Sequence, residues 1–514
     1  MHADLSRDTF RPDRHYSAVL AQQGRVQLDA DTNEQAAIQL HRARTTAADL
    51  IGRHGGPRGA TGFEVKFLGG SRELDDLALG GGRYYVDGIL LDATRPGPGV
   101  PAEDDATGPD GEAPDAAPAT WTYWDQPDGY RDPERPGDRL PTQFPYLACL
   151  KVWERVVTAA EDPLLREVAL GTAMPDTAAR VKVVWQVVPL PGAELDLADG
   201  ATKDQVRAAF DTWSAAQAPT ARLAARSERP DRADEEPCLV RPDARYRGPE
   251  NQLYRVEIHQ GGAAQDATFK WSRENGSVTF PVEDLDGTWA ELASLGNDDK
   301  LDLGVGDLVE FVDTAYTSRR EPLPLLRVEE VDLPGRRVRL SDEPEPFVGR
   351  RPELNPYLRR WDHRPATRRT KGAAKVRDGA LRIEEGAWLP LEDGVFVYFE
   401  PGRTYRSGDY WTVPARTATG GVEWPTDAAR RPLLRSPRGV RVHYAPLAWI
   451  LGEGSVADLR QEFGPLAAPI PAADEEALAA EARAEEEAVA AERVADSGST
   501  PPVTGQNDQE TNEN

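Results

Sequence analysis

From residue 146 to residue 450 the chain is built of short runs of branched and aromatic residues, cut at close intervals by glycine, proline, asparagine and aspartate. Runs of that length fit strands better than helices, and strands joined by tight turns pair antiparallel. Residues 146–157 form the strongest run of the first half and read as a strand buried on both faces, with 181–188 as its match. Residues 251–259, 268–273, 277–282, 303–312, 326–331 and 337–340 read as a small antiparallel barrel or sandwich. Within it, Asn275-Gly276 predicts a tight hairpin turn that returns 268–273 into 277–282. A third β unit is entered by 357–363 and continues through 394–399, 404–414 and 443–450. Upstream, 63–68 alternates like a strand, and Asp87-Gly88 predicts a hairpin between Tyr85-Val86 and 89–91. The fold class is therefore mainly β and multidomain, with antiparallel sandwich or barrel units.

The N-terminal region differs. Residues 16–28 alternate loosely around Gly24 and read as one or two short extended segments. Asp31 followed by Glu34 offers the chemistry of a capping box, nothing breaks a helix from there to Ile51, and Gly52 stops it. Asn33, Ala36, Leu40, Ala43, Ala47 and Leu50 recur at alternating three- and four-residue steps along this helix. That stripe of mostly small residues permits close helix approach. It is either the face of an amphipathic helix lying on its own domain or a seam for self-association.

The 514 residues are too many for one core; about three or four units are expected. The divisions predicted are an N-terminal anchor at 1–60, a first β domain at 61–200 with a Pro/Gly/Asp-rich loop at 95–143, and a helical insertion and linker at 201–236. A barrel-like β domain at 237–345 and a third β domain at 346–466 follow. Residues 467–514 close the chain as an Ala/Glu-rich helical stretch and a disordered acidic tail. With 61 basic against 87 acidic residues the net charge is −26, which disfavours nucleic acid and anionic membrane as partners. No apolar run reaches the length of a membrane span and no export signal opens the chain, so membrane insertion is not expected and synthesis in a reducing cytoplasm is. Two cysteines, Cys149 and Cys238, rule out a disulfide scaffold.

Compact catalytic motifs are missing: there is no HExxH, no G-x-S-x-G, no P-loop and no dinucleotide fingerprint. The seven histidines are scattered and read as structural, so no catalytic residue, metal or cofactor is expected. Trp121, Tyr123 and Trp124 lie in the polar 95–143 loop and are either a hydrophobic clasp onto the neighbouring sheet or a sugar-stacking patch. Tyr405, Tyr410 and Trp411, with Arg359-Arg360-Trp361, either line a ligand groove or pack across strands in a core.

The opening of the chain, above all QQGRVQLDAD at 22–31 with Asn33-Glu34, resembles a bacterial family of unknown-function proteins encoded beside phage-tail and contractile-injection-system genes. That family usually carries a large residue where Thr32 stands here. The resemblance extends through Val152-Trp153-Glu154-Arg155, EDPLLREVAL at 161–170, ENQLYRVEIH at 250–259 and ATFKWSRENGSV at 267–278, and on across most of residues 1–466. It implies a non-enzymatic, self-assembling component of a phage-tail-like contractile injection particle, associated with the spike, a tail fibre or the baseplate. Its partners would be other baseplate, spike or tube proteins and copies of itself, a homotrimer being one such form. It would be assembled in the cytoplasm and carried on a particle that can be released from the cell. The alternative is a carbohydrate-binding or carbohydrate-cleaving β protein.

Overall fold

Residues 146–157 and 180–191 pair over twelve successive positions in antiparallel register, and this ribbon is the structural spine of the protein. The computed structural model describes residues 2–69, 74–96, 120–171, 174–197, 200–227, 245–296, 301–364 and 376–466. The elements needed below are, in chain order, α1 (Asp29–Ile51), β1 (Arg83–Val86), β2 (Ile89–Asp92), β3 (Tyr146–Val157), β4 (Arg180–Pro191), α2 (Lys203–Ala216) and β5 (Leu223–Ser227). Then follow β6 (Gln252–Ile258), β7 (Thr268–Ser272), β8 (Thr279–Asp286), β9 (Trp289–Leu292), β10 (Leu308–Val312), α3 (Thr314–Arg319), β11 (Leu325–Asp332) and β12 (Arg337–Leu340). The last are β13 (Tyr357–Trp361), β14 (Val395–Phe399), β15 (Tyr410–Arg416), β16 (Val442–Gly452) and β17 (Ser455–Asp458).

The chain is mainly β, in several antiparallel sheets. The spine sheet runs β17-β16-β3-β4, and its middle strands are buried over consecutive residues, as strands covered on both faces are. One face packs on the β1–β2 hairpin and the Trp121–Thr122 strand; the other packs on α2 through Val206 and Phe210. A closed barrel is formed in the order β8-β9-β12-β11-β10-β13. A six-stranded sheet centres on β7, β6 and β15, and β14 pairs with β5 beside it. These two share a core of Tyr254, Val256, Phe269, Val397 and Phe399.

The sheets do not follow the linear divisions expected from the sequence. β13, allotted to the third β domain, is the strand that closes the barrel, pairing with both β8 and β10. β6 and β7, allotted to the barrel, pair instead with β15 and with Ala380–Arg382. β16, near the end of the third domain, lies against β3 of the first. Residues 1–462 form one compact unit; residues 463–514 form a second, of which 463–466 are described.

Local expectations fared unevenly. The Asp87-Gly88 hairpin is present, both residues taking positive φ (47° and 77°) as a type I′ turn requires. Asn275 and Gly276 also take positive φ (52° and 68°), but the turn does not fold β7 back on its successor. It turns the chain out of one sheet and into the barrel, where β8 pairs with β9 and β13. Within the segment expected as a helical insertion and linker, the helix ends at Ala216; Pro219 cannot continue it, and 223–227 is the strand β5. α1 begins at Asp29, two residues before the expected cap. Asp31 serves from inside the first turn, accepting from the Leu28 N–H at 3.4 Å, and Gly52 N–H closes the other end on Ala48 O at 2.8 Å. The acidic C-terminal stretch at 467–514 lies outside the described residues.

Candidate functional site

The N-terminal fifty residues divide into a strap, an arm and a helix. The strap is fastened by polar contacts. His2 Nε2 lies 2.9 Å from Glu257 Oε2, Asn275 donates to Ala3 O at 2.9 Å, and Arg416 donates to Ser6 O at 2.9 Å. Arg7 pairs with Glu423 and Asp8 with Arg438. Ser6 also fixes the start of α1 through Asp29, by backbone N–H at 2.9 Å and hydroxyl at 2.5 Å. Partial burial works against charge on Asp29, but those two bonds hold its carboxyl below the usual value.

The arm, residues 16–28, is different. It is extended apart from the Gln22–Arg25 turn and, among the described residues, no strand pairs with it. Side-chain bonds tie it to α1 from Val19 N–H to Gln35 Oε1 at 2.7 Å and, at its end, from Gln27 Nε2 to Thr32 Oγ1 at 3.2 Å and from Leu28 N–H to Asp31. Its apolar side chains stand in solvent: Leu20 is 83 % exposed and Val26 84 %, with Tyr16 and Leu28 also exposed. An extended backbone with free edge groups and bare apolar side chains is a ready template for another chain.

α1 lies on the body through Ala30 and Ile38, with Arg44 clamped to Glu154 of β3. At about 100° per residue, Leu40 lies roughly 160° round the helix from Ile38. The six stripe residues therefore fall on the outer side. Asn33, Ala36, Leu40, Ala43 and Leu50 are exposed and Ala47 half-buried, Leu40 and Leu50 being 44 % and 62 % exposed. The stripe is therefore not the face that lies on the domain: the opposite side of the helix packs there, and the stripe is left exposed.

The aromatic residues singled out in the sequence do not form a common surface. Tyr123 is fully buried and donates to Asp138 O; Trp124 donates to Asp75 O; Trp121 is stacked by Arg95. They clasp the β1–β2 core. Tyr405 and Trp411 are in the core of the six-stranded sheet, and Tyr410 is covered by the Arg255 guanidinium at 3.6 Å. Tyr123, Tyr405, Tyr410 and Trp411 are buried in the fold, and Trp121 and Trp124 are half-buried against it.

Sequence reasoning missed a buried ionic cluster where spine, barrel and six-stranded sheet meet. Lys270 of β7 bonds both carboxylate oxygens of Glu310 at 2.9 Å and lies 3.4 Å from Glu257, which Arg255 also holds at 2.6 Å. The four come from strands spread over some sixty residues, so no local motif marks them. Burial alone would raise both glutamates. Arg255 and Lys270 nevertheless keep Glu257 well below the usual value, and Lys270 and Arg359 keep Glu310 below it. Two carboxylates both held ionised offer no proton to a leaving group, which glycoside cleavage needs from one of its pair. Among the described residues no cluster of His, Cys, Asp and Glu has the arrangement of a metal site. His259 and His363 are buried and pushed down to about 4, chiefly by burial, and so are neutral structural groups.

No curated protein and no solved structure matches the chain. One family model does, over residues 1–229 and 201–495, and on that match the chain belongs to the family of unknown function DUF6519.

Proposed function

We propose that this protein is a structural subunit of a phage-tail-like contractile injection particle, associated with its spike, fibre or baseplate and not catalytic, and that it assembles with copies of itself through the arm and the outer face of α1. One observation carries the assembly half: the arm and the stripe together leave an apolar surface bare while the opposite side of the same helix is firmly seated. A free extended segment and a small-residue helical face are the two elements by which chains add a strand or a helix to a neighbour. The particle half is supported by the resemblance of residues 22–34 and the later passages to the phage-tail-associated family. Symmetric particles are built from closed oligomers, and a homotrimer is the form that a three-fold spike or fibre requires.

Two measurements test the two halves separately. Light scattering on the purified chain at high micromolar concentration is expected to give a multiple of the 56.3 kDa monomer mass. A monomer there would remove self-assembly in isolation. Mass spectrometry of injection particles purified from cells that make the protein is expected to find it with sheath, tube and baseplate proteins; particles that lack it would overturn the particle assignment.

A further inference from the structure

The cavity of about 120 Å³ beside the ionic cluster is lined also by Arg320 and Trp153. Each glutamate on its wall already has a cation within hydrogen-bonding distance: Glu154 has Arg44, Glu257 has Arg255, Glu310 has Lys270 and Glu321 has Arg135. Arg320, by contrast, has no carboxylate within ion-pair distance among the described residues; its guanidinium has one bond, to Ser407 O at 3.4 Å. The two carboxylates that act on Arg320 through space, Asp409 and Glu257, are bonded to Arg406 and Arg255 instead.

Arg320 stands over the ring of Trp153, its Cζ 5.9 Å from the centroid, and the Lys151 ammonium lies 5.2 Å from the same ring. Lys151 likewise has no carboxylate partner among the described residues. Burial, and after it the neighbouring Arg320, pushes its ammonium down to about 8. Trp153 itself is 1 % exposed, lines the cavity, and its indole N–H has no acceptor. An indole nitrogen can only donate, and buried cations are rare unless paired. Trp153 and Arg320 line the cavity, which is large enough to hold a small ion, and Lys151 reaches the same ring, so two cations without carboxylate partners and an indole N–H without an acceptor meet at Trp153.

We propose that the part of the cavity around Trp153 is a binding site for one small oxyanion of the phosphate or carboxylate type, held by Arg320, Lys151 and the indole N–H of Trp153. The guanidinium fork suits the oxygens of either class, the ammonium adds a point charge, and the indole fixes one oxygen. The site is independent of self-assembly: its residues come from β3 and the end of α3, on neither the arm nor the stripe.

The test is isothermal titration of the full chain with inorganic phosphate and, separately, with acetate, at fixed ionic strength balanced by chloride. One site per chain is expected in at least one arm, and the arm that binds names the class. Lys151→Gln and Arg320→Gln are each expected to weaken that binding by about tenfold or more, and Trp153→Phe, which keeps a ring and removes the donor, by several-fold. Absence of binding in both arms for the wild type overturns the site whatever the variants do. So does binding that survives unchanged in a folded Lys151→Gln chain, which decides the matter if Arg320→Gln fails to fold.

Discussion

Arg44 of α1 grips Glu154 of β3 with both guanidinium nitrogens, Nη1 to Oε2 at 2.8 Å and Nη2 to Oε1 at 2.6 Å. Both side chains are about three-quarters buried, so water does little to weaken the pair. A bidentate, charge-assisted bond of this kind contributes about 2 kcal/mol. Arg44→Ala is expected to lower the urea midpoint accordingly and to speed amide exchange along α1. A double-mutant cycle with Glu154→Gln should show coupling of at least about 1 kcal/mol. Strict additivity would mean that the helix is held by its apolar face alone.

Gly88 sits at the tip of the β1–β2 hairpin with φ +77°, where an added Cβ would lie 2.1 Å from the Arg44 carbonyl oxygen. Gly24 has a similar φ of +69° and nothing within 4 Å. Gly24→Ala should therefore cost only the backbone strain, about 1 kcal/mol. Gly88→Ala adds a clash with backbone that cannot step aside and should cost about 3 kcal/mol or more. Thermal melts of the two variants side by side make the comparison, and equal losses would contradict the close packing of hairpin on helix.

Leu40→Asp places a charge on the outer stripe of α1, where Leu40 is already 44 % exposed. The melting temperature of the isolated subunit should hardly move. If the stripe joins chains, the same carboxylate is buried without a partner at a cost of several kcal/mol, and the oligomer should dissociate. Light scattering and a melt on the same sample read the two effects. An intact oligomer would remove the stripe from the interface.

His259 and His363 remain neutral in the folded chain down to about pH 4, burial being the main cause for each. Unfolded, each takes its proton near pH 6.5. Between those limits the unfolded chain binds more protons than the folded one, so stability falls as pH drops from about 6.5 to 4. The full loss is about 3 kcal/mol for each histidine. His363→Gln keeps a donor for the Gly379 carbonyl, which His363 Nε2 approaches to 2.8 Å, and should flatten this slope by about one proton. An unchanged slope in urea titrations at several pH values would show that His363 is not one of the groups responsible.

What was legible in the sequence was local. The β3 and β4 runs, the Asp87-Gly88 turn and the helix to Ile51 each rest on neighbours in sequence, and each is present. Pairing partners were not legible. The Asn275-Gly276 dihedrals came out as the dipeptide demands, yet a turn does not specify which strand receives the chain beyond it. Residues 223–227 became β5 because β14 offers an edge, a tertiary effect that outweighs the helical leaning of Leu-Ala-Ala-Arg. The candidate sites divide in the same way. The stripe is a helical period and can be read directly, whereas Lys151, Trp153 and Arg320 meet only because two distant segments fold together.

The pairing of β3 with β16 joins Tyr146 to Ile450. On a ribosome making roughly 5 to 20 residues per second, β3 emerges some 15 to 60 s before its partner exists. β4 follows soon after and covers one edge of β3; the other edge of this long, largely buried strand stays open through that interval. A nascent chain in that state is a target for strand addition by any neighbour on the same messenger. Shielding of that one edge during synthesis is therefore expected to raise the share of chains that reach the finished fold.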